Sequence, residues 1–252
     1  MIILSHTDPS KAEGVGVFPS ENRNCYRISI IIPVYNESES LGKLFDNLES
    51  FFGICEVIFV DGGSTDDTVL QIENMGGKVL VSPKKGRANQ MNHGAMAADG
   101  SVLWFLHADS IPPKDATWQI DQVLSKYDIG CFPIRFDDRH PLMKIYAFLS
   151  NNLRVRLRNI AFGDQGIFLK RALFEELGGF APIPLMEDYR LSLDATKAGY
   201  RIGMARATIT TSARRFHKFG YVETMRRMQT LQKRFRKGDD IESIARAYNE
   251  YS

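Results

Sequence analysis

A chain of 252 residues, 44% hydrophobic and 25% charged, can bury a substantial core and has the composition of an ordinary globular protein. No stretch approaches the roughly 18 apolar residues that a membrane span needs, and a net charge of +2 gives no general attraction to nucleic acid. Cys25, Cys55 and Cys131 are odd in number and lack metal-ligand spacing, which fits a reducing compartment. In chain order, residues 1–26 read as a loose arm rich in Ser, Gly, Pro and Asn. Met1-Ile2-Ile3-Leu4 has no basic segment before it and no signal-like core, so a cytoplasmic protein is expected. From Arg27 strands and helices alternate: strand 28–34, helix 38–51 (Leu41, Leu44, Phe45 and Leu48 at helical spacing), strand 56–60, and a helix capped near Ser64-Thr65-Asp66. Strand 78–82, helix 87–98, strand 102–106 and helix 114–126 follow. Such repetition predicts a mainly parallel sheet covered on both faces.

After Ile129 the rhythm changes. Cys131–Phe136 reads as one more strand. Pro141–Ile160 reads as a helix, with Leu142, Ile145, Tyr146, Leu149, Leu153 and Leu157 in a stripe beside Lys144, Arg154, Arg156 and Arg158. Helices at 170–177 and 186–199 and a strand within 200–210 come next. A basic helix at 220–236 then carries Tyr221, Met225, Met228, Leu231 and Phe235 on one face, and a last helix is expected at 240–250. From Arg201 to Lys237 there are eleven basic residues against the single acid Glu223. Both basic helices fit either core packing with a solvated basic face or interfacial contact with a membrane surface.

Acidic residues follow three of the apolar strands. In an open α/β sheet ligands bind outside the carboxyl ends of the strands, and unpaired acids beside a core are costly. A site for a cation and a phosphorylated ligand is the reading. Pro33-Val34-Tyr35-Asn36-Glu37 ends the first strand: Tyr35 can stack on a base or ribose, or the motif is a plain strand-to-helix turn. Asp61-Gly62-Gly63 ends the second, where Asp61 can accept hydrogen bonds from a nucleoside and the glycines admit close backbone approach. Gly86-Arg87-Ala88-Asn89 opens a helix whose free amides and Arg87 suit a phosphate, or serve as an exposed cap. His107-Ala108-Asp109 offers a metal position. Asp109 suits Mg²⁺ or Mn²⁺ and an imidazole ligand favours Mn²⁺, although His107 also fits a neutral core histidine. Glu187-Asp188 opens a helix, so Asp188 is either a general base or a dipole-complementing charge. Arg214 and Arg215 either steady a leaving diphosphate or lie solvated at the surface.

The order of these motifs resembles the family 2 glycosyltransferases, which have the GT-A fold. The likeness runs from about Ser29 to Phe216. It is carried by Ile30-Ile31-Ile32-Pro33-Val34-Tyr35-Asn36-Glu37, Val60-Asp61-Gly62-Gly63-Ser64-Thr65-Asp66, Gly86-Arg87-Ala88-Asn89-Gln90-Met91-Asn92, His107-Ala108-Asp109, and Leu177-Gly178-Gly179-Phe180 with Met186-Glu187-Asp188. Phe162-Gly163-Asp164-Gln165-Gly166 and Thr211-Ser212-Ala213-Arg214-Arg215-Phe216 look like a bacterial subgroup linked to arsenosugar biosynthesis. The resemblance implies a domain over 27–216 and a basic helical extension over 217–252. It implies donor contacts at Pro33, Tyr35, Glu37, Asp61, Gly86, Arg87, Asn89, Ala108 and Asp109. Asp109 would be the metal-binding acid and Asp188 the catalytic base, with Asp164, Gln165 and Glu187 on the acceptor side. Two positions depart from the family pattern: His107 stands where an acid is usual, and Gly62 follows Asp61 where a second acid is common.

The expected reaction is inverting transfer of a sugar from a nucleoside diphosphate, UDP first among them, to a small-molecule or lipid acceptor such as a carotenoid acid or an arsenosugar precursor. Two rivals are a nucleotidyltransferase making a nucleotide sugar and a non-catalytic module on the same fold. The first lacks its Gly-rich basic loop, since Pro33–Glu37 stands in that place. Nucleic acid is not an expected partner.

Overall fold

Isoleucine fills the first strand because both of its faces are covered. The computed structural model describes residues 27–250; the arm expected over 1–26, with Cys25, lies outside the described residues. In β1 (Ile28–Val34), Ile28, Ile30, Ile32 and Val34 pack toward one cluster and Ile31 toward another. This is the period-two alternation of a strand between two helical layers. β1 pairs in parallel with β2 (Glu56–Asp61) and β4 (Val102–Phe105), and β2 pairs with β3 (Lys78–Val81). β7 (Phe168–Lys170) runs antiparallel between β4 and β5 (Ile129–Cys131), and β8 (Ile202–Met204) closes the order β3-β2-β1-β4-β7-β5-β8. The sheet is therefore mixed and mostly parallel, as the α/β reading expected.

On one face lie α1 (Leu41–Leu48), α2 (Thr68–Asn74) and α4 (Ala116–Leu124), contributing Leu41, Leu44, Ile72 and Ile120 to the core. The other face carries α3 (Arg87–Ala97), α6 (Arg171–Glu176) and α7 (Glu187–Lys197), with Met91, Phe174 and Leu191 buried. At Gly94 of α3 an added Cβ would sit 2.6 Å from Ile31, so the glycine sets how closely this helix approaches the strand ends.

Three expected elements divide. The strand read at Cys131–Phe136 is two: β5 stays in the main sheet, and β6 (Ile134–Phe136) pairs with β9 (Ile209–Thr211) in a separate ribbon. The strand within 200–210 divides likewise into β8 and β9, because the two chains leave the main sheet together at Phe132-Pro133 and Ala205-Arg206. The helix read at 141–160 is α-helical only over α5 (Pro141–Leu149), then π-helical from Ser150 to Leu157. There Asn151 accepts a hydrogen bond from Ile134 N and donates to Ile134 O, bonding like a neighbouring strand to β6. The expected boundary at 216 falls inside α8 (Arg214–Phe219). α9 (Tyr221–Lys237) and α10 (Ile241–Asn249) pack with Tyr189 of α7 in a third cluster around Leu231 and Ile244.

Candidate functional site

The sheet order reverses between β1 and β4, and the crevice beyond their carboxyl ends is where such a sheet receives a ligand. A cleft of about 540 Å³ lies there. It is lined by Pro33, Tyr35 and Glu37 after β1, Gly86 and Arg87 at the start of α3, His107, Ala108 and Asp109 after β4, and Arg214 and Arg215 from α8. Tyr35 is half exposed, leaving a ring face open to a planar ligand. Arg214 and Arg215, more than a hundred residues distant in the chain, stand on the same cleft as Asp109.

The Asp61 carboxylate turns inward. It is buried and accepts hydrogen bonds from Gly63 N (2.8 Å), Ser64 N (3.0 Å) and the Ser64 hydroxyl, so it holds the turn that presents Gly62 to the cleft. The turn is tied to β1 by Ser64 Oγ, which accepts from Asn36 N, and by Asn36 Oδ1, which accepts from Thr65 N. Gln90, buried, donates to both Val34 O and Val60 O at 2.8 Å and joins the two strand ends. Asn89 donates to Lys85 O and does not line the cleft.

Beside this cleft a second chamber holds three acids, Asp164, Glu187 and Asp188, with Arg87, Arg154, Arg215, Tyr146, Phe162 and Tyr248. Met186, which precedes the two acids, has φ of +66°, a left-handed conformation that a long side chain adopts only under local strain. That turn starts α7 with Glu187 and Asp188 facing inward. Asp188 Oδ2 accepts from Gly163 N and Oδ1 from Tyr189 N, both at 2.6 Å. Burial raises the proton affinity of Asp188; the two amides and Arg87 oppose the rise without cancelling it. Glu187 is likewise raised by burial and then by Asp188, with Arg87 Nη1 3.7 Å from Glu187 Oε1 as the counterweight. Asp164 is pushed up to about 6, chiefly by burial, with Arg154 pulling the other way. Gln165 is buried and accepts from Phe162 N, so it shapes the turn and does not face the chamber.

His107 joins the two chambers. Burial, then Arg87 and Arg215, lower its pKa to about 3, so its ring is neutral. Its Nε2 is buried without a hydrogen-bond partner among the described residues. Gly163 permits this arrangement: a Cβ there would stand 2.5 Å from His107 Nε2 and 3.3 Å from Asp188 Oδ2. His107 and Asp109 line one cleft, and a carboxylate beside a neutral imidazole is a donor set that suits a divalent ion. No cluster of three ligating side chains occurs among the described residues. An ion here would complete its shell from diphosphate oxygens and water, as Mg²⁺ does at phosphate sites.

The structure thus gathers Pro33, Tyr35, Glu37, Gly86, Arg87, His107, Ala108, Asp109, Arg214 and Arg215 on one cleft, and Asp164, Glu187 and Asp188 next to it. It sets Asp61, Asn89 and Gln165 behind the walls. Four contributors escaped the sequence reading: Gly163, Arg154, Tyr146 and Tyr248. Arg154 donates to Tyr146 OH (2.8 Å) and lies 5.0 Å from the ring centres of Tyr146 and Phe162. Tyr248 lies under Arg215 at 4.7 Å. Gly163 stood inside a quoted motif; Tyr248 had no signal beyond its place in a terminal helix.

Comparison with known proteins gives the same frame. The family model described as Glycosyl transferase family 2 matches residues 29–178. The chain is 32% identical over 174 residues to an uncharacterised glycosyltransferase of Mycobacterium tuberculosis, covering 61% of this chain and 62% of that one. It is 28% identical over 96 residues to glucosyl-3-phosphoglycerate synthase of Mycolicibacterium smegmatis, covering 34% of this chain and 32% of the synthase. The chain therefore spans between a third and just under two thirds of these relatives. Among solved structures, a mannosyltransferase from Pyrobaculum calidifontis in complex with GDP-Man and Mn²⁺ superimposes with a TM-score of 0.62 at 22% identity, over 90% of this chain and 69% of that one. At that identity the likeness is one of fold.

Proposed function

The chain belongs to glycosyl transferase family 2, and from that premise we propose that it is an inverting glycosyltransferase using a nucleoside-diphosphate sugar. The observation that carries the reading is the adjacency of two chambers. One is open, with Asp109, Arg87, Arg214 and Arg215; the other holds the partly buried Asp188, fixed by two backbone amides. Tyr35 offers a face to the base or ribose, with Pro33 and Glu37 beside it. Arg87, Arg214 and Arg215 offset charge on the departing diphosphate, as preorganised donors do where charge develops. A divalent ion, Mn²⁺ or Mg²⁺, held by Asp109 with His107 on the same cleft, would supply further charge neutralisation to that diphosphate.

Asp188 takes the proton of the acceptor hydroxyl as its oxygen forms a bond to the anomeric carbon from the face opposite the diphosphate. Its raised proton affinity, caused by burial, suits a base working near neutral pH. Asp164 and Glu187 add polar wall on the acceptor side. The resemblance to enzymes linked to arsenosugar synthesis bears only on which acceptor is tried first. Relatives of the chain are named glucosyl-3-phosphoglycerate synthase and undecaprenyl-phosphate 4-deoxy-4-formamido-L-arabinose transferase.

Calorimetric titration of UDP, GDP and TDP with and without Mn²⁺, on wild type and Asp109→Ala, tests the donor half. One nucleotide is expected to bind with Mn²⁺ present and to lose at least tenfold in affinity in the variant. Failure of all three to bind under either condition would overturn the reading.

A further inference from the structure

The apolar stripe at 141–160, which fitted either core packing or interfacial contact, divides: Tyr146 is buried, while Ile145, Leu149, Leu153 and Leu157 face outward. Within this segment Met143, Tyr146, Ala147 and Val155 are buried, while Ile145 (54%), Phe148 (64%), Leu149, Leu153 and Leu157 (74%) are exposed. The five exposed side chains fall at spacings of three or four residues, or side by side at 148–149, and so occupy one outer face of α5 and the π-helical turns. A contiguous exposed apolar face of this kind marks an interaction site.

The charge on the segment identifies what it meets. Lys144, Arg156 and Arg158 are exposed along it, and no Asp or Glu occurs between Pro141 and Ile160. Alongside α5 a cavity of about 610 Å³ is lined by Met143, Ala147 and Phe148 together with Arg139 and Lys144. Its two acids are already engaged: Asp138 accepts from Tyr221 OH and contacts His217, and Asp137 accepts from Ala213 N. A second copy docked by the same face would bring like charges together, because a two-fold interface presents the same patch on both sides. An apolar face edged with cations and free of acids complements an anionic bilayer surface.

We propose that this face docks on a membrane bearing anionic head groups, and that the acceptor enters the catalytic chambers from that surface. The docking stands by itself; the acceptor route rests on the glycosyl-transfer reading. The same segment links the two. Tyr146 and Arg154 line the acceptor chamber while Ile145, Phe148 and Leu153 face out, so the bilayer would lie about one helix diameter, roughly 10 Å, from the chamber. A hydroxyl carried on a lipid head group is the acceptor chemistry that this distance suits.

The test is sedimentation of the full chain with vesicles of phosphatidylcholine alone and with 30% (about one lipid in three) phosphatidylglycerol. Wild type is expected to bind the anionic vesicles and to lose binding as salt rises. The triple variant Ile145→Ser, Phe148→Ser, Leu157→Ser should bind at least tenfold more weakly. Lys144→Gln, Arg156→Gln, Arg158→Gln should lose up to about a hundredfold, at about fivefold per cation. Arg226→Gln with Lys233→Gln on α9 should change binding less than either. Unaltered nucleotide binding by both triple variants shows that they fold and keep the donor site. Absence of wild-type binding, equal binding by the triple variants, or a dimer in light scattering that the apolar variant dissolves would each overturn the docking. If the chain docks but binds no nucleotide, the docking stands and the glycosyl-transfer reading falls.

Discussion

A turn after β2 and the chamber beside the cleft put the same residue type to opposite uses. In the turn between β2 and α2, Asp66 is held ionised: it accepts from Thr68 Oγ1 and N and from Ser38 N, and is lowered to about 2. In the chamber, the buried Glu187 and the half-buried Asp164 and Asp188 all hold protons more tightly than free carboxylates. Backbone amides and hydroxyls favour the charged form, and desolvation favours the neutral one. Asp66 therefore shapes its loop as an anion, while the chamber acids are biased toward the protonated form.

The largest break of this comparison is Asp188→Asn. It removes the base and leaves the donor cleft intact, so turnover should fall about a hundred- to ten-thousandfold with nucleotide affinity within about twofold. Turnover within tenfold of wild type would remove Asp188 from the base role. Next in size is Gly163→Ala. Its Cβ must displace His107 or Asp188, and misplacement of a catalytic group by about 1 Å costs about a hundredfold; kcat should fall with nucleotide binding retained. Unchanged kcat would show that the chamber adjusts freely around that methyl group.

The smallest effect is one of stability and has a definite sign. Because the folded pKa of Asp164, about 6, lies above its ordinary 3.8, the native state holds more protons between those values, and stability falls as pH rises from about 4 through 6. Asp164→Asn should reduce that slope by the share of Asp164, leaving the shares of Glu187 and Asp188. It should be more stable than wild type at pH 8 by at most about 3 kcal/mol and no more stable at pH 4, as urea unfolding at the two values would show. Asp66→Asn is the control: an acid ionised down to about 2 contributes no slope over the same window. An undiminished slope in Asp164→Asn would place the proton on another group of the chamber.

The two basic amphipathic helices show where sequence patterning stops. Both carry an apolar stripe with Lys and Arg alongside. In α9, Leu231 is buried and Met225, Met228 and Phe235 are partly buried against neighbouring clusters. In α5 the buried set is instead Met143, Tyr146 and Ala147, leaving Ile145, Phe148 and Leu149 outside. Periodicity reveals that a helix has an apolar face, not which neighbour will cover it, and the π turns from Ser150 bond through Asn151 to β6, which lies outside the segment.

The sequence by itself determined the alternating strands and helices, the parallel core around β1, and the placing of Tyr35, Arg87 and Asp109 at strand or helix ends, because these depend on local apolar periodicity and on the fixed polarity of such sheets. Tertiary structure alone decided which acids face the ligand. Asp61 turns into its own loop, where Gly63 N, Ser64 N and the Ser64 hydroxyl donate to it. It also decided the proton affinities of Asp164, Glu187 and Asp188, which come from burial between α7, the Phe162–Gln165 turn and the C-terminal helices. Burial is a property of what distant segments bring together, and no spacing along the chain encodes it.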